Sequence, residues 1–346
     1  MTEAVLAVDG GNSKTDLALV GLDGTVLAAV RGPGSSPHHV GLDGALARID
    51  ALYRQAAAVA GLEEPATYGA LTLAGADLPE EEAALQAAVE ERVWARQAVV
   101  RNDTFAVLHT GTDSAYGVAV VCGAGINCVG VAPDGRVARF LALGSVTGDW
   151  GGGHDMGLGA LGAAVRADDG RGEPTVLSRL VPRHFGLASA AEVAIAFHGH
   201  RLSGWRLTEL TPLVLAAAAD GDSASCGLTD RLAQEVTSFA VAALERLDLA
   251  GAQVDVVLGG GILRAGSARL DERVDAGIRA AAAHVRVVRA PHPPLVGCAL
   301  MALAGAGADT AARDRLRAQF TAGQVTLAEP AGLVPPDEPM HRLATG

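Results

Sequence analysis

At 346 residues, with 39 acidic against 27 basic side chains and a formal net charge of −12, the chain is acidic and long enough for two domains of ordinary size. Nucleic-acid binding is excluded on charge, because a basic face is needed to displace the counterions of a phosphate backbone. Four cysteines without CxxC or metal-finger spacing, no apolar run of membrane-spanning length, and charges at Glu3, Asp9, Lys14 and Asp16 across the N-terminus point to a reduced cytoplasmic setting, small-molecule partners and no membrane.

Residues 4–9 (AVLAVD) predict a buried strand, 15–20 a second and 25–30 (TVLAAV) a third, with GLDG at 21–24 as a hairpin turn. The first two strands are joined by Gly10-Gly11-Asn12-Ser13-Lys14, and Lys14 is the only lysine in a chain whose other basic residues are all arginines. Spaced Ala, Leu and Val predict helices over 43–60 and 80–96, while short apolar runs at 69–74 and 97–101 suit parallel strands between them. At residue 117 the opening plan returns: an apolar strand, a turn at Gly123-Ala124-Gly125, a strand, a turn at Pro133-Asp134-Gly135 and a strand. Asp9 precedes Gly24 by 15 residues and Cys122 precedes Gly135 by 13, so the chain reads as duplicated.

Residues 144–162 are dense in glycine, and 174–250 are mostly helical by period, the longest pattern covering 223–248. A strand at 254–258 runs into Gly259-Gly260-Gly261; a helix near 268–283, a strand at 284–289 and a helix after Pro293-Pro294 follow. The expected organisation is an N-terminal lobe over 1–115, a second lobe over 116–320 and a loose tail over 321–346 carrying Pro330, Pro335, Pro336 and Pro339.

Turns without side chains let backbone N–H groups approach a phosphate, and two such turns could grip the two ends of a polyphosphate. Either turn alone is explained as a tight turn; the pair in matching strand contexts, with the third cluster at 259–261, favours nucleotide binding. GGNSKT lacks the spacing of a P-loop and continues into a strand. Neither VDGGNSKTD nor VCGAGINC supplies the GxGxxG of a dinucleotide fold.

VDGGNSKTDLALVGLDG resembles the first phosphate motif of the actin, Hsp70 and sugar-kinase superfamily, and VVCGAGINCVGVAPDG the second. DVVLGGGILRAG resembles its adenosine motif and PHPPLVGCALMAL the segment after it. In order and wording the motifs are most similar to the N-acetylglucosamine kinases and the related BadF/BadG/BcrA/BcrD ATPase family, over about residues 4–307. The resemblance implies a duplicated α/β actin-like ATPase (ribonuclease H-like) fold, with two lobes around a central nucleotide cleft. It implies ATP and Mg²⁺, a sugar substrate and a homodimer.

Carried over by position, the resemblance makes Asp9 the carboxylate that holds Mg²⁺ through water, in place of a plain turn-capping role. Gly10, Gly11, Asn12 and Ser13 become turn amides and a hydroxyl for phosphate. Lys14 becomes the point charge beside the transferred phosphoryl, a task arginine does not share, although a solvated strand-end lysine is the simpler alternative. Asp103, closing AVVRND, matches the catalytic base, against the competing role of a helix N-cap. Gly123, Ala124 and Gly125 would meet phosphate, and Gly259, Gly260 and Gly261 adenine and ribose. Ser36, Gly75, Asp77, Asn127, Gly148 and Asp149 fall where the family contacts sugar.

Three departures bear on the substrate. Ala124 stands where a threonine is common, Ser36 where an asparagine usually meets the sugar, and Ala74 where a serine is frequent. His38, His39 and His154 could touch substrate or metal but read more simply as surface residues. The expected activity is transfer of the γ-phosphoryl of ATP to a hydroxyl, at C6, of an amino sugar such as N-acetylglucosamine or glucosamine. Two alternatives are a BadF-type ATPase acting on a partner protein, disfavoured by cysteines that do not match a shared Fe–S site, and a non-catalytic sugar sensor, which would need a DNA-binding extension before the first strand.

Overall fold

The computed structural model describes residues 3–329. Three strands open the chain: β1 (Ala4–Gly10), β2 (Lys14–Gly21) and β3 (Val26–Pro33). They form an antiparallel meander, and Asp23 in its second turn accepts from the Thr25 amide at 3.0 Å. Helix α1 (Pro37–Ala60) follows, interrupted at Gly41 (φ 70°), so that its regular part begins close to the expected residue 43. It buries Ala45, Ile49, Leu52 and Ala56, the i, i+4, i+7, i+11 face that amphipathic spacing predicts, with Leu46 beside them.

Strand β4 (Tyr68–Leu73), helix α2 (Pro79–Glu90) and strand β5 (Ala98–Asn102) complete the first sheet, whose order is β3-β2-β1-β4-β5 with β1, β4 and β5 parallel. Helix α2 stops short of the expected residue 96. Trp94 turns inward, 3% exposed, and donates to Asp50 at 3.0 Å, and Ala95 bridges Ala66, so residues 91–97 are held by other contacts.

Helix α3 (Asp103–Gly111) leads to β6 (Gly117–Cys122), β7 (Ile126–Val131) and β8 (Val137–Arg139). A 3-10 turn at Gly144–Val146 precedes α4 (Gly152–Asp168), α5 (Leu177–Phe185) and α6 (Ala190–His198); a second at Gly204–Leu210 precedes α7 (Thr211–Ala219) and α8 (Ser223–Arg246). Then come β9 (Asp255–Gly259), α9 (Ala268–Ala281), β10 (Arg286–Arg289), α10 (Pro294–Gly305) and α11 (Thr310–Thr321). The second sheet runs β10-β9-β6-β7-β8, antiparallel across β6, β7 and β8 and parallel across β6, β9 and β10. That order repeats the first sheet strand for strand, as the duplicated sequence predicts.

The chain divides into two compact units, one joining the residues up to Asp103 with those from Cys298 onward, the other Thr104–Gly297. These limits differ from the expected lobes of 1–115 and 116–320. The cause is α10 and α11: Cys298 lies 2.9 Å from Thr72 Oγ1 on β4, and Gln319 donates to the Gly24 carbonyl at 2.8 Å, so the end of the described chain packs with the first sheet. Of the expected tail, Ala328 bridges Val30 and trades backbone hydrogen bonds of 3.0 Å with Ala29 and Arg31. Pro330, Pro335, Pro336 and Pro339 lie outside the described residues. Each unit has its own apolar core, the first built on Leu6, Leu17, Leu19 and Leu71, the second on Val118, Met156, Leu232 and Val256. No helix among the described residues is long and apolar enough to cross a membrane.

Candidate active site

In the first unit the turn between β1 and β2 is closed by Gly11 N–H donating to the Lys14 carbonyl at 2.9 Å. It is anchored on both sides: the Ala74 amide donates to the Gly10 carbonyl (2.7 Å) and the Ser35 amide to the Gly11 carbonyl (3.1 Å). Asn12 and Ser13 stand exposed at its tip. Beneath it the Thr15 hydroxyl donates to the Pro33 carbonyl at 2.9 Å and lies 2.8 Å from Ser35 Oγ, which ties β2 to the segment leading into α1.

Asp9 lies at the C-terminal end of β1, next to this turn. Burial and the nearby Asp103 carboxylate push its pKa from the ordinary 3.8 up to about 7, against the opposing pull of Lys14 and Arg31. The two carboxylates singled out by sequence are thus electrostatic neighbours, Asp103 arriving as the first residue after β5. Lys14, the first residue of β2, donates to Asp16. Asp16 itself, 1% exposed, is held by Arg31 through Nε at 2.6 Å and Nη2 at 2.9 Å. Burial pushes the Asp16 pKa up, but the hydrogen bonds from Arg31 and Lys14 outweigh it and leave it below the usual range.

Sequence reasoning passed over Asp16, Arg31, Thr15 and Ser35. The available signal was only that Asp16 lies in one strand of a predicted hairpin and Arg31 directly after the other.

The sugar-side candidates of this unit converge on the end of β4. Gly75 and Asp77 follow that strand, and Ser36 and His38 open α1 beside Gly75. Asp77 accepts from Asn102 Nδ2 at 2.8 Å, and Asn102 directly precedes Asp103. His38 meets Glu81 at 2.9 Å, and His38, Asp77 and Glu81 bring their ligating atoms within 4.8 Å of one another.

In the second unit the Gly123-Ala124-Gly125 turn is closed by Gly123 N–H donating to the Gly125 carbonyl at 2.9 Å. The start of α4 is laid directly on it: the Gly153 amide donates to the Gly123 carbonyl (2.8 Å) and the His154 amide to the Ala124 carbonyl (3.0 Å). A side chain at Gly152 (φ 80°) would strike Gly125 Cα at 2.4 Å, and one at Gly260 (φ 86°) the Cys122 carbonyl oxygen at 2.2 Å, so both positions require glycine. The turn and the Gly259-Gly260-Gly261 cluster therefore share the end of β6, joined further by Ile262 N–H donating to the Cys122 carbonyl at 3.2 Å.

Asn127 lies on β7 just past the turn, its Oδ1 accepting from the Cys128 amide at 2.7 Å. Gly148 and Asp149 lie in the loop before α4, where Asp149 accepts from Thr147 and helps raise the pKa of Glu235, chiefly a burial effect.

The model of the BadF/BadG/BcrA/BcrD ATPase family matches residues 6–302. The chain belongs to this family. Among curated relatives, it is 28% identical over 262 residues to the N-acetylmuramic acid/N-acetylglucosamine kinase of Clostridium acetobutylicum, covering 75% of this chain and 85% of that one. It is 26% identical over 236 residues to the N-acetyl-D-glucosamine kinase of Dictyostelium discoideum, covering 64% and 73%. Among solved structures it resembles a candidate N-acetylglucosamine kinase from Chromobacterium violaceum, with a TM-score of 0.70 and 24% identity over 87% of this chain and 99% of that one. This BadF/BadG/BcrA/BcrD family member has the α/β actin-like ATPase fold of the sugar kinases, built here as two mixed sheets.

Proposed function

We propose that the protein is an ATP-dependent kinase that moves the γ-phosphoryl of ATP onto a hydroxyl, at C6, of an amino sugar such as N-acetylglucosamine or glucosamine. The observation that carries this reading is the coupling of Asp9 and Asp103 at the C-terminal ends of β1 and β5, beside the chain's only lysine. Family membership and the names of the two curated relatives support it.

Phosphoryl transfer needs little covalent help from a protein; it needs an acceptor for the hydroxyl proton, in-line placement and positive charge on the moving group. Asp103 takes the first role, as a carboxylate that accepts the sugar proton while aiming its oxygen. Lys14, held over Asp16, supplies a compact positive charge at the turn. The Gly10-Gly11-Asn12-Ser13 turn is assigned to phosphate in the first unit and the Gly123-Ala124-Gly125 turn in the second, where the Gly11 and Gly123 amides shape the turns by closing them and the other amides are offered to the ligand. Gly259, Gly260 and Gly261 serve the nucleoside. Ser36, Gly75 and Asp77 in the first unit, and Asn127, Gly148 and Asp149 in the second, are assigned to the sugar.

Asp9 fits a divalent cation: burial first and the Asp103 carboxylate second raise the pKa of its carboxyl, and added positive charge would favour the ionised form. Mg²⁺ held there would neutralise charge on the β- and γ-phosphates. The expected homodimer rests on the family resemblance and is checked by sedimentation velocity.

The test is ADP release from ATP and Mg²⁺ with and without N-acetylglucosamine, glucosamine, N-acetylmuramic acid, N-acetylmannosamine and glucose. One or more sugars should stimulate turnover, and Asp103→Asn should lower kcat by about 10²–10⁴-fold. ADP release indifferent to every sugar would sink the reading.

A further inference from the structure

Ser36 occupies the N-cap position of α1 with extended backbone (φ −66°, ψ 124°), yet its side chain caps nothing. Serine at this position ordinarily accepts a bond from an amide two or three residues on. Here the His39 and Val40 amides go instead to the Ser36 carbonyl, at 3.1 and 3.2 Å. The hydroxyl is left 1% exposed and without a hydrogen-bond partner, a state that costs free energy unless something else supplies the bond. Gly75 lies beside it: the point that a Cβ would occupy there is 3.2 Å from Pro37 Cδ, 3.3 Å from Ser36 Oγ and 3.6 Å from His38 Cδ2.

His38 in turn belongs to a cluster with Asp77 and Glu81, whose ligating atoms lie within 4.8 Å of one another. Glu81 is pinned, since its Oε2 accepts from the Asp77 amide (3.1 Å) and the Leu78 amide (3.0 Å) while Oε1 faces His38 Nε2. Partial burial pushes its pKa up, but the Leu78 amide and His38 more than offset that and keep it ionised. Asp77 is tied to Asn102, the residue next to Asp103. Two carboxylates stand against one imidazole, so the cluster has an excess of negative charge and of acceptor atoms, and the Ser36 hydroxyl adds another acceptor.

We propose that Ser36, His38, Asp77 and Glu81 form a subsite for the free ammonium group of a 2-amino sugar, selecting it over the N-acetylated form. The inference rests on the kinase reading above and narrows its substrate. An ammonium brings three N–H donors and a positive charge to a site of acceptors; an acetamide brings one N–H, no charge, a carbonyl that would face carboxylates, and a methyl group. A plain hydroxyl, as in glucose, brings one donor and no charge. A site whose polar groups are left unpaired by the wrong substituent discriminates strongly against it.

The experiment measures kcat/KM for glucosamine and N-acetylglucosamine, and calorimetric binding of each sugar without ATP, for the wild type, Ser36→Ala, Asp77→Asn and Glu81→Gln. The wild type should favour glucosamine, and each variant should lower the ratio of the two kcat/KM values about tenfold or more. Ser36→Ala should do so without a lower melting temperature, because the hydroxyl it removes bonds nothing in the unliganded protein. A preference for N-acetylglucosamine, or a ratio unmoved in the variants, overturns the subsite while the kinase reading stands. If no sugar stimulates ADP release the kinase reading falls, and calorimetry still decides: absent glucosamine binding, or binding indifferent to Glu81→Gln, overturns the subsite as well. Zn²⁺ is titrated separately, since the same donors suit a divalent cation; Zn²⁺ that binds tightly and displaces glucosamine assigns the cluster to a metal and overturns the proposal.

Discussion

Asp16 and Arg31 face each other directly across β2 and β3, joined by two hydrogen bonds of 2.6 and 2.9 Å. The carboxylate is buried while Arg31 reaches outward, and Lys14, two residues before Asp16 on the same strand face, shares the same acceptor. Removing the acid leaves two cations against one another. Asp16→Asn is expected to destabilise the protein by about 3 kcal/mol in chemical denaturation and to lower kcat through a displaced Lys14. Because the folded-state pKa of Asp16 lies below its unfolded value, its contribution is present above the unfolded value and is lost as pH falls through the folded one. A variant as stable and as active as the wild type would remove the pair from any account of the site.

Asp9 works in the opposite direction. Its pKa near 7 means that the folded protein keeps a proton that the unfolded chain has already lost, so the unliganded protein loses stability as pH rises from about 4 to about 7. Asp9→Asn should therefore be inactive yet more stable at pH 8, by no more than about 4 kcal/mol. Thermal melts of wild type and variant across that range check the sign, and a variant less stable at pH 8 contradicts it.

The glycines separate folding from ligand binding. Gly260→Ala puts a methyl into the Cys122 carbonyl at a positive φ, and it should cost about 3 kcal/mol or more and reduce soluble yield. Gly123→Ala meets nothing within 4 Å, so its melting temperature should stay within about 2 °C while KM for ATP rises. Equal losses of stability in the two variants would show that both turns are merely structural.

His109, near the end of α3, is neutral by burial, which lowers its pKa from 6.5 to about 4. The unfolded chain binds this proton first, so stability falls as pH drops from about 6.5 to about 4, by up to about 3 kcal/mol. His109→Gln should flatten that limb of the denaturation profile; an unchanged limb would place the effect elsewhere.

The strands, both glycine turns and the duplication were legible because they are local: period, turn residues and their order determine them. The Asp16–Arg31 pair was not, since two charges in apolar strands become partners only when the hairpin register is fixed, here with an irregularity at Leu19 and Val20. His38 and Glu81 are separated by 43 residues, and only the placing of β4 between α1 and α2 brings them together. The return of α10 and α11 to the first sheet was hidden for a similar reason: their apolar faces are visible in sequence, but not which surface they cover.

That return has a consequence for synthesis. The unit Thr104–Gly297 is continuous and can close as soon as it leaves the ribosome, whereas the unit that begins first is completed last. Until Cys298 and the helices after it emerge, Thr72 and its neighbours on β4 lack their cover, so the earliest-made sheet is the one that must wait, open to chaperones or to misassociation. A pause in translation at any point between the emergence of β4 and that of Cys298 would lengthen that wait.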